Sequence, residues 1–285
     1  VSFDLLRVAT LEPGPAARLV GPVGVGRARG HVSAFAELPD TGRLVYEADQ
    51  DIFDHPQLVS VRIDGAPQHI RLTDPPADDY SLNLRWFGRE RIVFELTTEI
   101  QSGLFSVPVD RSSEPVELTA ALADPYLSYT VALPSDDRNL AFLAGEAQSR
   151  LVELYTVPID GSAPLRKLSG TLVPGGKLVE GSLALTPGGS SAVYLAEAET
   201  VNVVELFSVP LDGSAAPVKL SGSLVAGGDV HLVYANFGPR ISADGHFVVY
   251  TADARVDERF ELLVVPVDGS TAPSLLSGEL VSAGD

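Results

Sequence analysis

The sequence predicts an all-β chain of repeated four-stranded sheets. One hairpin motif recurs along the chain, each copy follows a short apolar strand with an aromatic at a fixed place, and no window shows helical periodicity. The hairpin reads LVSVRIDGAPQHIRLT at 58–73, LFSVPVDRSSEPVELT at 104–119, LYTVPIDGSAPLRKLSG at 154–170, LFSVPLDGSAAPVKLSG at 206–222 and LLVVPVDGSTAPSLLSG at 262–278. A divergent copy, LLRVATLEPGPAARLVG, lies at 5–21.

Within each copy apolar side chains alternate, as in a half-buried strand. Asp64, Asp110, Asp160, Asp212 and Asp268 mark the reversal. Such an aspartate folds its own turn, and a following glycine tolerates φ > 0. Pro108, Pro158, Pro210 and Pro266 stand just before the turn. A proline donates no ladder hydrogen bond, so this position is expected to face away from a partner strand.

The preceding strand is RLVYEAD at 43–49, RIVFELT at 91–97, NLAFLAG at 139–145, SAVYLAE at 191–197 and FVVYTAD at 247–253. Its aromatics are Tyr46, Phe94, Phe142, Tyr194 and Tyr250, read as packing between sheets. Trp86 is read the same way. A turn and another short strand come earlier still, as in VSAFAE at 32–37 or SLAL at 182–185. Four strands in about 50 residues, repeated, make a β-propeller. Neighbouring sheets bury each other's faces.

The expected organisation is one propeller over 1–285: a half blade at 1–30, then repeats at 31–76, 77–122, 123–173, 174–225 and 226–285. Five full repeats and a half repeat give a six-bladed ring, closed by strands beyond the sequence. The alternative is a five-bladed ring with the N-terminal hairpin docked outside. Methionine is absent, even at position 1, so a trimmed or partial polypeptide is expected.

The repeat resembles the PD40 repeat of TolB-like propellers. ISADGHFVVYTAD at 241–253 followed by ELLVVPVDG at 261–269 carries the resemblance best. It is also similar to repeats in the lid propellers of prolyl-oligopeptidase-like enzymes. The resemblance implies a fold and, more loosely, a periplasmic or secreted protein that binds other proteins.

Composition narrows the chemistry. With 20 Lys and Arg against 38 Asp and Glu, the net charge is −18. Such a surface repels nucleic acid. No apolar run is long enough to span a membrane. Cysteine is absent, which excludes disulfides and thiolate chemistry. His31, His55, His69, His231 and His246 show no zinc spacing, and no G-x-S-x-G elbow occurs. No catalytic residue and no resident cofactor are therefore expected.

The acidic loops at 47–57, 196–205 and 252–261 are the best candidates for carrying chemistry. Asp49, Asp51 and Asp54 alternate as calcium ligands can, but without the full EF-hand pattern; the competing reading is a solvated acidic turn. Asp253 and Asp257 are a weaker pair. Glu153, Glu205 and Glu261 begin a strand and are expected to hold backbone or an arginine. Tyr234, Asn236 and Phe237, in the long link at 224–238, are candidate partner contacts. The turns at 38–42, 133–138, 186–190 and 242–246 and the links at 172–181 and 224–238 form the expected binding surface. The functional expectation is a non-enzymatic protein-interaction or scaffold module outside the cytoplasm. The alternatives are the gating propeller of a larger hydrolase and a propeller with its own small-ligand or calcium site.

Overall fold

Repeats of this kind should fold as separate antiparallel sheets, each joined by hairpin turns, and they do. The computed structural model describes residues 7–8, 17–18, 32–38, 41–49, 55–64, 68–74, 80–99, 102–122, 125–132, 138–146, 151–231, 239–278 and 280. Strands β1 (Arg7–Val8) and β2 (Ala17–Arg18) pair with each other, and among the described residues with no further strand. Sheet 1 holds β3 (Val32–Leu38), β4 (Arg43–Ala48), β5 (Gln57–Arg62) and β6 (Ile70–Arg71). Sheet 2 holds β7 (Tyr80–Phe87), β8 (Arg91–Thr98), β9 (Ser102–Pro108) and β10 (Val116–Glu117). Sheet 3 holds β11 (Pro125–Ala132), β12 (Asn139–Glu146), β13 (Glu153–Pro158) and β14 (Arg166–Lys167). Sheet 4 holds β15 (Ala184–Leu185), β16 (Ser191–Ala196), β17 (Glu205–Pro210) and β18 (Val218–Lys219). Sheet 5 adds a strand: β19 (Val230–His231) and β20 (Arg240–Ile241) both pair with β21 (Phe247–Ala252), which pairs with β22 (Glu261–Pro266) and then β23 (Ser274–Leu275).

The extra strand departs from the four-strand pattern. Val230 faces Ala252 and His231 faces Thr251, whereas Arg240 faces Val249. The first strand of the repeat is thus replaced by two separate two-residue strands on the same edge of β21. The first strands of sheets 1, 2 and 3 also shift register once, between Val32 and Ala34, Leu84 and Trp86, and Leu127 and Val131. The Trp86 side chain lies outside the described residues.

The repeated motif residues have direct structural roles. Asp110, Asp160, Asp212 and Asp268 each accept the amide of the serine two residues on, at 2.9 Å. The next residue is left-handed: Arg111 (φ 51°), Gly161, Gly213 and Gly269. Arg111 adopts a conformation easy for glycine, and its guanidinium holds the Arg71 carbonyl at 2.9 Å and Glu114 at 2.8 Å. The residue after each of Pro108, Pro210 and Pro266 donates to the second strand's side: Val109 to Glu90, Leu211 to Ser190 and Val267 to His246. The proline nitrogen therefore points to the other side, where the two-residue fourth strand has already ended, as expected for a residue without N–H.

The Leu-Ser or Leu-Thr ending each hairpin closes the ladder. Leu72, Leu118, Leu168, Leu220 and Leu276 donate to the carbonyls of Leu58, Leu104, Leu154, Leu206 and Leu262. The neighbouring hydroxyls of Thr73, Thr119, Ser221 and Ser277 accept the amides of Leu58, Leu104, Leu206 and Leu262. A side chain thus replaces a backbone carbonyl where the fourth strand turns away.

Two compact units result, Val1–Asp124 with Ile159–Ser162, and Pro125–Pro158 with Ala163–Asp285. In the first, Val45, Leu58 and Leu72 of sheet 1 pack on Ile92, Phe94 and Val107 of sheet 2. In the second, Ala141, Leu154 and Leu168 of sheet 3 pack on Ala192, Tyr194 and Phe207 of sheet 4. Val193, Leu206 and Leu220 of sheet 4 then pack on Val248, Tyr250 and Leu263 of sheet 5. All five second-strand aromatics are buried, and Phe94, Phe142 and Tyr194 stack on Phe105, Tyr155 and Phe207 across the ladder. They are core residues, as read. Burial pushes the Tyr194 and Tyr250 phenols upward.

Candidate functional site

The sheets have two ends with different chemistry. In sheet 4 the turn 186–190 and the hairpin turn after Pro210 share one end, where Leu211 donates to Ser190. The loop 197–204 and the link 172–181 share the other, where Glu197 donates to the Lys177 carbonyl and Val173 to Ala198. In sheet 4 the turn at 186–190 and the link at 172–181, expected from sequence to share one binding surface, therefore lie at opposite ends.

At the link end the acidic residues are spent on structure. Glu197 accepts the Asn202 amide at 3.0 Å and pairs with Lys177 at 3.7 Å. The Asp253 carboxylate takes the Asp229 amide on one oxygen at 2.5 Å and the Glu258 amide on the other at 2.9 Å. Asp229 in turn accepts the Val204 amide at 2.6 Å. Asn202 and Glu258 occupy matching left-handed positions, both at φ 61°. The second glycine of each link approaches its neighbour's backbone closely. A Cβ on Gly228 would sit 2.8 Å from the Asp253 carbonyl, and Gly176 meets Glu197 in the same way. Asp253 thus clamps its loop through both carboxylate oxygens.

Glu261 is fully buried. Arg255 grips it through Nε at 2.8 Å and Nη2 at 2.6 Å, and Arg259 adds a bond at 3.0 Å. The Arg255 guanidinium holds its carboxyl below the usual range. Glu205 and Glu153 at the same position pair instead with Lys219 and Lys167 of the adjacent fourth strand. The expected backbone or arginine partner is met at Glu261 and replaced by lysine at the other two.

Asp49 closes β4 and is buried. Asp51 and Asp54 lie outside the described residues, as do Tyr234, Asn236 and Phe237. Among the described residues no group of three or more His, Cys, Asp or Glu side chains could hold a metal ion. Near Asp49, burial and that carboxylate push the Tyr80 phenol up to about 12.

The turn end offers a different surface. Between sheets 4 and 5 lies an open groove of about 730 Å³. Its apolar walls are Pro210, Val218 and Ala216 on one side and Phe247, Pro266 and Val267 on the other. Ser191, Ser208, Ser270, His246 and Asp268 supply the polar groups. Phe247 and Val218 are 45% and 41% exposed, so apolar surface faces water at the groove's mouth. Hydrogen bonds from Ser270 hold the Asp268 carboxyl below the usual range, with a smaller contribution from His246. Asp244 is lowered in the same way by Ser242 and His246. Of these residues, the sequence marks Asp268, Pro210 and Pro266 as turn residues and places His246 in an expected binding turn, but it does not single out Ser191, Ser208, Val218 or Phe247. The available signal was the first position of the second strand, which changes from arginine in sheets 1 and 2 to Ser191 in sheet 4.

No family model matches the sequence, and no curated protein matches it. Solved structures do resemble it. Oligogalacturonate lyase in complex with manganese shares 16% identity at a TM-score of 0.52, over 91% of this chain and 69% of that one. A structure from a study of two prolyl endopeptidases shares 15% identity at 0.50, over 94% of this chain and 39% of that one. The fold is a β-propeller. TolB from Acinetobacter baumannii is also similar, with 12% identity and a TM-score of 0.40 over 92% of this chain. The chain spans 57% of that TolB structure's length. At these identities the likeness shows the fold alone. Among the described residues no helix is long and apolar enough to cross a membrane.

Proposed function

We propose that the chain is a protein-binding propeller, working outside the cytoplasm, whose partner docks in the groove between sheets 4 and 5. The observation that carries this is the groove's make-up, with apolar walls and a half-exposed Phe247 framed by hydroxyls and a carboxylate. Binding surfaces commonly combine an apolar centre with a few placed polar groups. The net charge of −18 favours a basic partner by long-range attraction. The resemblance of the repeat to TolB-like propellers supports the location.

A second reading has a specific observation behind it. Nearly all of this chain, 94%, overlays 39% of a prolyl endopeptidase. That proportion fits a propeller acting beside a catalytic domain. Photo-crosslinking separates the surfaces. A benzophenone amino acid at Phe247 should trap a partner in the source cells, and the same probe at Val201, on the link end, should not. Adducts from Val201 alone would overturn the reading.

A further inference from the structure

The other sheet junctions show what the groove lacks. In sheet 1 the first residue of β4, Arg43, donates to the Ser60 hydroxyl at 3.0 Å. Bonds from Ser112 hold the Asp110 carboxyl below the usual range, with a smaller contribution from the Arg43 charge. In sheet 2 the matching Arg91 donates to the Ser106 hydroxyl at 2.8 Å and to the Ser106 carbonyl at 3.3 Å. Bonds from Ser162 hold the Asp160 carboxyl below the usual range, with a smaller contribution from the Arg91 charge. Sheet 3 begins its second strand with Asn139, and the arginine comes from the fourth strand instead. Arg166 donates to the Asp212 carbonyl of the next turn at 2.5 Å. In sheets 1 and 2 a guanidinium is thus held by the serine of its own third strand, and in sheet 3 one reaches the aspartate turn of the next sheet.

Sheet 4 keeps the acceptors and loses the donor. Ser191 faces Pro210 as Arg91 faces Pro108, and Val218 faces Ser208 as Arg166 faces Thr156. Both positions that supply an arginine elsewhere are therefore filled by short, uncharged side chains. Ser208 stands where Ser60 and Ser106 accept, and Asp268 stands where Asp110, Asp160 and Asp212 stand. The space left is the groove of about 730 Å³, with the exposed Phe247 ring at its mouth.

We propose that this groove is a vacated arginine socket that receives an arginine side chain from the docked partner polypeptide. The inference rests on the protein-binding reading above and specifies its ligand. The Asp268 turn and the Ser208 hydroxyl accept from the planar fork, and the Phe247 ring stacks on it. A lysine ammonium fits poorly, because it is a point charge and cannot stack as a plane.

The test is a titration of the whole chain, followed by amide NMR, with three blocked tripeptides: acetyl-Val-Arg-Val-amide, its lysine analogue and its uncharged citrulline analogue. The arginine peptide should shift the amides of Ser208, Phe247 and Asp268, with affinity at least about tenfold above the lysine peptide. Ser191→Arg and Val218→Arg, each copying a residue that this chain uses at the same position of another sheet, should fill the socket and abolish those shifts. Equal binding of all three peptides, or arginine-peptide shifts that persist in both variants, would overturn the proposal. If citrulline and arginine bind equally and both variants block them, the groove still docks polypeptide and only the guanidinium is wrong. If no peptide binds and Phe247 yields no crosslink, the protein-binding reading falls as well.

Discussion

Sheets 4 and 5 carry nearly the same hairpin, ELFSVPLDGSAAPVKLSG and ELLVVPVDGSTAPSLLSG, and bury it very differently. Leu206 and Leu220 are 0% and 1% exposed, while the matching Leu262 and Leu276 are 39% and 52% exposed. The ladder contacts of the two pairs are the same. Leu220 donates to Leu206 at 2.7 Å and Leu276 to Leu262 at 2.8 Å. What differs is the neighbour, since sheet 5 covers that face of sheet 4. The repeat encodes the sheet, and the neighbouring sheet determines which apolar residues become core.

Paired substitutions sharpen this contrast. Leu206→Ala should cost about 2–5 kcal/mol, because it removes a buried side chain and leaves a cavity. Urea denaturation of both variants is the check. Leu262→Ala, the same change at the same register, should cost under about 1 kcal/mol. Equal losses would mean that the open face of sheet 5 is covered in solution.

An intermediate effect is expected at Glu261→Gln. Losing the carboxylate leaves Arg259 partly buried without its anion, at a cost of about 2 kcal/mol near neutral pH. The pH dependence has a definite sign. Arg255 lowers the folded-state pKa of Glu261, so its contribution is present above the ordinary glutamate pKa of about 4.3. It is lost as pH falls through the folded value. The stability gap between wild type and Glu261→Gln should therefore close below about pH 4. A gap that persists in acid would point to packing rather than charge.

A smaller loss is expected at Thr119→Val, which strands the buried Leu104 amide that its hydroxyl accepts at 3.0 Å. About 1 kcal/mol is the usual scale. Hydrogen exchange at the Leu104 amide would show the loss locally.

Much of the fold was legible because the repeat writes its own punctuation. The turn aspartates, the prolines before them and the buried aromatics all do what their chemistry required. The split first strand of sheet 5 was not legible, because the sequence HLVYANFG keeps an apolar run between Val230 and Arg240. Nor were the partners of Glu153 and Glu205. Their lysines sit on two-residue strands whose register depends on the hairpin turn. The groove was hidden for another reason. It arises from two small changes, serine at 191 and valine at 218, at positions far apart in sequence. The change at 191 shows in the aligned second strands, but matching Val218 with Arg166 needs the register of the fourth strands.

The most direct test of the vacated socket is a crystal structure of the Val218→Arg variant. Its guanidinium should lie in the groove against the Asp268 turn, as Arg166 lies against Asp212, with the cavity filled. A side chain extended into solvent over an unchanged groove would contradict the idea that this junction is built to hold an arginine.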